Sequence, residues 1–210
     1  MALNRRSAAR SGAVAARGAS ARVLRIIGGS WRGRRLRFPA VALIRPTPDR
    51  VRETLFNWLG TRVVGARCLD LFAGSGALGL EALSRGAVHV TFVERETSAV
   101  RALEATLADW GARGAQVERG DALGFLGGPA RPFDIVFLDP PFDSGLLAAA
   151  AALLERNAWL AAPAYVYVEC AAREGPPALP PGWLPLKAKR AGEVGYHLYA
   201  RGQARGAEAE

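Results

Sequence analysis

The residues best suited by type and spacing to do chemistry close an apolar run, FDIVFLDPPF, at Phe133 to Phe142. Ile135, Val136, Phe137 and Leu138 read as a buried strand. Asp139-Pro140-Pro141-Phe142 follows, and two consecutive prolines forbid helix and fix an extended turn. A carboxylate, a rigid backbone and an aromatic ring are thus held together at a strand end. In an open parallel sheet, that is the end at which ligands bind. A second candidate lies upstream, where Asp70-Leu71-Phe72 runs into Ala73-Gly74-Ser75-Gly76. A loop of such small residues lets a compact ligand lie against the backbone. Gly74, Gly76 and Gly79 also satisfy G-x-G-x-x-G, with Glu94 20 residues after the first glycine, the pattern of a dinucleotide site. Three features point away from NAD: Asp70 is an acid where such a strand is usually apolar, the FAGSG loop is small throughout, and hydride transfer has no use for DPPF.

The elements that must position these residues alternate. Strands are predicted at Arg67 to Phe72, His89 to Val93, Gln116 to Glu118, Phe133 to Leu138 and Ala164 to Cys170. Helices fall between them: from the glycine loop to Arg85, from Thr97 to Trp110, a short one after Gly120-Asp121-Ala122, and Gly145 to Leu154. Leu184 to Lys189 and Val194 to Ala200, joined through Gly192, read as a terminal antiparallel pair. The expected fold is α/β: a doubly wound, mainly parallel seven-stranded sheet with an antiparallel C-terminal hairpin. Right-handed crossovers put the ends of the strands at Phe72, Glu94, Glu118 and Leu138 along one edge. Ahead of the sheet, VLRIIGG, SWRG and RRLRF read as a small β-hairpin. The Ile44 to Arg50 stretch is broken by Pro46 and Pro48, and Thr47 or Asp49 can cap a helix over Arg50 to Leu59. That helix places Val51, Leu55, Trp58 and Leu59 on one face. Arg45, Thr47, Arg50 and Arg52 are candidates to line the ligand site, and surface solvation accounts for any one of them equally well.

Charge is unevenly spread. The chain is +9 overall, yet residues 1–52 carry 13 arginines and one acid, Asp49, so the rest is slightly acidic. A basic front end on such a body suggests a polyanionic partner, the alternative being a solubilising tail. Arg32, Arg34, Arg35 and Arg37 surround Trp31; guanidinium groups bind phosphate bidentately and an indole stacks on a base, which suits RNA or DNA. Four segments are expected: a disordered basic tail at 1–21, a hairpin extension at 22–49, the main domain at 50–201 and a frayed end at 202–210. The Arg/Ala/Ser-rich start shares its composition with organellar transit peptides, but reads as a disordered tail. No apolar run approaches the ~20 residues a membrane helix requires. Cys68 and Cys170 fall in predicted buried strands without CxxC spacing, so core thiols in a reducing cytosol are expected, with neither disulfide nor metal site.

These motifs carry a resemblance. Asp70 to Gly76 resembles the first motif of S-adenosylmethionine-dependent methyltransferases, whose fold is Rossmann-like, and Asp139 to Phe142 resembles the (D/N)PP(F/Y/W) motif of those that methylate amino nitrogens. RIIGGSWRGRRL, RPTPDRVRETLFNWL and LDLFAGSGALGLEALSRGA together resemble the bacterial 16S ribosomal RNA guanine-N2 methyltransferases of the RsmD type, over about residues 23–200. The tail before residue 22 is longer than that pattern requires.

The resemblance implies a set of roles. S-adenosylmethionine is held by Asp70, Phe72, Ala73, Gly74, Ser75, Gly76, Glu94, Arg95, Asp121, Ala122 and Thr47, with Glu94 on the ribose and Asp121-Ala122 beside the adenine. Asp139, Pro140, Pro141 and Phe142 are catalytic, and Arg25, Trp31, Arg32, Arg34, Arg35, Arg37, Arg45 and Arg50 contact RNA. The implied substrate is 16S rRNA in an assembling 30S particle, the enzyme a cytoplasmic monomer away from any membrane. The residue chemistry agrees. An ionised Glu94 has two oxygens for two ribose hydroxyls. Asp121 can accept from the adenine amino group, and a helix N-cap role for it is compatible with that. Asp70 holds the glycine loop or a water near the cofactor's amino-acid end, or meets its ammonium directly. Two other readings stay open: amino methylation of DNA adenine or cytosine or of protein glutamine, and a non-catalytic RNA-binding assembly factor. The chain has no room for the separate target-recognition domain a DNA enzyme would need.

Overall fold

A computed structural model describes residues 22–38 and 47–202. The expectations for the 1–21 tail, for Arg45 and for residues 203–210 lie outside it. Two short strands, β1 (Arg22–Arg25) and β2 (Arg35–Phe38), pair antiparallel. Then come α1 (Asp49–Leu59), β3 (Arg67–Asp70), α2 (Ala77–Ser84), β4 (His89–Glu94), α3 (Thr97–Asp109), β5 (Ala115–Arg119) and α4 (Ala122–Leu126). The chain continues as β6 (Phe133–Leu138), α5 (Leu146–Arg156), β7 (Leu160–Ala171), β8 (Trp183–Ala191) and β9 (Val194–Arg201).

The large sheet has seven strands in the order β5-β4-β3-β6-β7-β9-β8. Its first five are parallel, and β9 and β8 close it antiparallel. Chain order reverses between β3 and β6, so β3 and β6 flank the crevice where such sheets bind ligands. The central strands read as continuous apolar runs because helices cover both faces. Cys68, Leu69, Ile135, Val136, Phe137, Leu138, Val166 and Val168 are all buried. β8 is the exposed edge, and Pro185, Lys187, Lys189 and Arg190 blunt it against pairing with another chain. Both cysteines are free and buried, and burial raises both thiol pKa values, as befits core thiols.

Element boundaries differ from expectation chiefly at β7, four residues longer at its start than the sequence suggested. A larger difference concerns α1. Neither Thr47 nor Asp49 caps it: Pro48 occupies the cap position without a side-chain hydrogen bond, and Asp49 is already helical. The 49/50 boundary drawn from the sequence therefore falls one residue inside this helix. Arg52 does not line the ligand site. It is fully buried, its Nη1 3.5 Å from Glu81 Oε2 and its Nη2 donating to Asp49 Oδ1 at 2.6 Å and to the Arg25 carbonyl at 2.9 Å.

Glu81 fastens the hairpin to the sheet domain. Its carboxylate accepts from Ile27 N (2.9 Å), Gly28 N (2.8 Å) and Arg85 Nε (2.8 Å) as well as Arg52. Ser84 adds four contacts to the same loop: Ser30 N and Ser30 Oγ donate to its carbonyl, Trp31 N to its Oγ, and its hydroxyl to the Gly28 carbonyl. Gly29 sits so close to the Ser84 carbonyl that no Cβ fits there, and its φ of +75° suits glycine alone. Ile26, Leu36 and Phe38 complete the seal by joining the core formed by α1, α2 and α3.

Candidate active site

The strand ends at the switch point open into a cavity of about 420 Å³, of the size of small-molecule sites. It is lined by Thr47, Asp70, Phe72, Ala73, Gly74, Ser75, Glu94, Arg95, Asp121, Ala122, Asp139, Pro140, Pro141 and Phe142. Of the residues that the sequence assigned to cofactor and catalysis, only Gly76 is not on the wall. It acts behind the loop: its φ is +76° and its amide donates to the Ala73 carbonyl. Leu71, Ala77, Leu78, Val93, Glu96, Gly120 and Leu146 also line the cavity and were not picked out from the sequence. Most are apolar wall whose only sequence signal is adjacency to a motif.

Backbone donors fix the acids. Glu94 Oε2 accepts from Gly74 N at 2.7 Å and Oε1 from Glu96 N at 2.8 Å, so the carboxylate spans the glycine loop and the start of α3. Each oxygen keeps a lone pair for a ligand hydroxyl. Asp121 caps α4 by accepting from Gly124 N at 2.9 Å while lining the cavity. Asp70 accepts from Gly79 N at 3.0 Å, which ties β3 to the first turn of α2. Gly79 permits that approach because a Cβ there would strike the Phe92 ring.

Electrostatically the site is acidic. Burial is the largest cause pushing the Asp70 carboxyl up to about 7; the Gly79 amide pulls it down and the Glu94 charge raises it further. Asp139 is half-buried on the wall, and burial first, then the charges of Glu169 and Asp70, hold it well above the usual carboxylate range. Thr47 Oγ1 donates to Asp139 Oδ2 at 3.5 Å and opposes that rise. Glu169, buried on β7, was missed from the sequence; burial raises its pKa too. Its signal was an acid in the apolar run YVYVEC, in step with Tyr165 and Tyr167. Phe142 is 37% exposed at the mouth. A cavity walled by acids with raised pKa values suits a cationic ligand, and the hydroxyl-ready Glu94 suits a ribose.

The arginines assigned to RNA separate into groups. Val23 pairs with Arg37 and Arg25 with Arg35, so one exposed face of the ribbon carries three guanidinium groups around an exposed valine. Arg50 is exposed on the first turn of α1, close in sequence to Thr47. Trp31 and Arg34 are engaged elsewhere. The Trp31 ring meets Trp110 edge-on at 5.3 Å, and the Arg34 guanidinium lies over the Trp110 ring at 5.6 Å. Trp31 is anchored at Ser84, the far end of α2 from Ala77 on the cavity wall, about 10 Å along the helix. Arg32, on the same loop, is exposed.

Fold and cavity together define a class, the Rossmann-like S-adenosylmethionine-dependent methyltransferases. Residues 24–200 match the family described as Conserved hypothetical protein 95. The chain is 51% identical over 178 residues to ribosomal RNA small subunit methyltransferase D of Escherichia coli strain K12, covering 85% of this chain and 90% of that protein. It is 45% identical over 180 residues to the protein of that name from Haemophilus influenzae, covering 84% and 93%. This chain belongs to the ribosomal RNA small subunit methyltransferase D family. The solved structure of yhhF from Escherichia coli superposes with a TM-score of 0.80 at 49% identity, over 85% of this chain and 98% of that one. A Thermus thermophilus 16S rRNA N2 G1207 methyltransferase, solved with AdoMet and guanosine, does so at 0.60 and 25% identity, over 87% and 50%.

Proposed function

We propose that this chain methylates the exocyclic N2 amino group of one guanine in 16S ribosomal RNA, and that it meets this substrate as a cytoplasmic monomer in an assembling 30S particle. The observation that carries the reading is a shared cavity: the Asp139-Pro140-Pro141-Phe142 turn opens onto the same space as the Gly74 loop and Glu94. The relatives' activity on small-subunit rRNA and the Thermus enzyme's N2 chemistry with guanosine support the choice of acceptor.

S-adenosylmethionine, when bound, supplies a methyl group on a positively charged sulfur. Glu94 would accept from the ribose hydroxyls, Asp121 and the Ala122 amide would hold the adenine edge, and Asp70 would face the amino-acid end. An exocyclic amine is a poor nucleophile because its lone pair is delocalised into the ring. The Asp139 carboxylate and the Pro140 carbonyl can each accept one N–H, which favours a pyramidal nitrogen with its lone pair free. The two prolines keep both acceptors in place before substrate arrives, and positioning of this kind is worth up to ~7–11 kcal/mol. Phe142 offers a platform for the base, which must leave its stack to enter. The three-arginine face of the β1–β2 ribbon is the phosphate-binding surface of this reading.

The test is mass spectrometry of nucleosides from small-subunit RNA of cells with and without the protein. Loss of N2-methylguanosine at one position is expected. An unchanged profile, or loss of another methylated nucleoside, would refute the acceptor.

A further inference from the structure

Glu169 has no part in the chemistry above, yet it is buried beside the group that does most of it. Asp70 pairs in register with Phe137, and Phe137 with Tyr167, so these three side chains share one face of the sheet. Asp139 lies one residue beyond β6 and Glu169 one beyond the last paired residue, Val168, which brings the two acids side by side. Tyr167 donates from its hydroxyl to Glu169 Oε1 at 2.8 Å. Thr47 donates to Asp139 Oδ2 at 3.5 Å, and its hydroxyl also favours the charged form of Glu169. A threonine has one hydroxyl proton, so it can donate to only one carboxylate at a time.

We propose that Glu169 is a positioning residue that acts through Thr47 on Asp139, the two carboxyls sharing one proton so that only one of them is charged in the free protein. This deepens the reading of the site given above and rests on it. The groups facing the pair are Asp70 from β3, Tyr167 on β7, Thr47 ahead of α1 and, across the next strand, Tyr196, the register partner of Glu169. The described ion pairs bring no arginine or lysine to Asp70, Asp139 or Glu169. Among the described residues these acids do not form a group that could hold a metal ion. Like charges this close cannot both ionise without cost, and their titrations are then a property of the pair. The arrangement has a use. A neutral Asp139 carboxyl accepts an N–H more weakly than a carboxylate and can turn its own O–H toward the nitrogen instead, so the amino group is held best when the charge sits on Asp139. The Thr47 hydroxyl favours it there, while Tyr167 supports charge on Glu169, so the two donors set the balance.

Carbon-detected NMR titration of labelled Asp and Glu carboxyls in the full-length free protein tests this without cofactor or turnover. In the wild type, Asp139 and Glu169 should each titrate in two steps with shared midpoints. Glu169→Gln removes the neighbouring charge and should lower the Asp139 midpoint by ~1 pH unit. Thr47→Val removes a donor to Asp139 and should raise it. The acid limb of kcat/KM should move in the same two directions, which a merely structural role for Glu169 would not produce. Single independent steps in the wild type, an unmoved Asp139 midpoint in Thr47→Val, or shifts of the same sign in both variants would overturn the proposal, and the first two readings need no folded Glu169 variant. Titration as expected without methyl transfer by the wild type would instead refute the function proposed for the site.

Discussion

Two groups of buried charge sit on opposite sides of Thr47, and they are built in opposite ways. At the hairpin junction, Glu81 and Arg52 are both fully buried and have partners on every side: two backbone amides, Arg85, Asp49 and two carbonyls. At the cavity, Asp70 and Asp139, with Glu169 beside Asp139, are held by hydroxyls and an amide, and none of the ion pairs among the described residues reaches them. The first arrangement compensates its desolvation within the protein, and a complete set of partners is the mark of a structural clamp. The second leaves its cost standing as raised pKa values, and such a deficit marks a place prepared for something that has yet to bind. Burial alone does not separate structure from function here; the presence or absence of the countercharge does. The two regions meet at Thr47, whose carbonyl accepts from Arg52 Nε at 3.2 Å and whose hydroxyl donates to Asp139.

The contrast breaks first at Asp139. Asp139→Ala should cut methyl transfer by about 10³-fold or more, since it deletes an acceptor used only when the nitrogen is oriented for reaction. Cofactor binding, read by calorimetry, should survive. An equal loss of both would make Asp139 part of the fold. Glu81→Gln should do the reverse. It leaves the buried Arg52 with one carboxylate, Asp49, in place of two and weakens the hold on Ile27, Gly28 and Arg85, at a cost of about 3 kcal/mol in urea unfolding, with protease cleavage appearing within residues 22–38. Cofactor affinity of the folded fraction should change little.

Asp70→Asn sharpens the comparison through its sign. The folded-state value of about 7 lies above that of the unfolded chain, so ionisation costs stability as pH rises from about 4 to about 7. The amide escapes that cost. Relative to the wild type, the variant should therefore gain melting temperature across that interval, equivalent to roughly 4 kcal/mol by pH 8. It should also bind S-adenosylmethionine more weakly. A stability difference independent of pH would show that Asp70 is compensated in the manner of Glu81.

How much of this was legible in the sequence follows the same division. Strand alternation, the glycine loop and DPPF are local patterns, and local patterns were enough for the sheet, the edge on which the cavity opens and most of the residues on the cavity wall. What went unread was pairing at a distance. Arg52 looked like a site arginine because its partner, Glu81, is 29 residues away. Trp31 looked like a base-stacking ring because the distant Trp110 that occupies its edge gives no sign in SWRG. Glu169 sat unremarked in a β7 run because its neighbour across the sheet, Asp139, lies 30 residues earlier. Thr47 was expected in the ligand site and as a possible helix cap; only the three-dimensional arrangement gives it its place between Arg52 and Asp139.

The smallest expected effect tests whether the hairpin, fastened by the first group, serves the second. Arg25, Arg35 and Arg37 share an exposed ribbon face, whereas Arg34 is committed to the Trp110 ring. If the ribbon tracks phosphates, Arg25→Ala, Arg35→Ala and Arg37→Ala should each weaken RNA binding about 2- to 5-fold at moderate salt. Each should reduce the slope of log affinity against log salt by ~0.7, the single-strand value for one released counterion. Arg34→Ala should leave that slope unchanged and cost about 0.5–1 kcal/mol of stability, the scale of an exposed cation–π contact. Filter binding to small-subunit RNA across a salt series separates the two outcomes. Four equal slopes would mean that the ribbon's charge acts as a diffuse field, and that Glu81 and Arg52 anchor the hairpin only to seal the core beneath it.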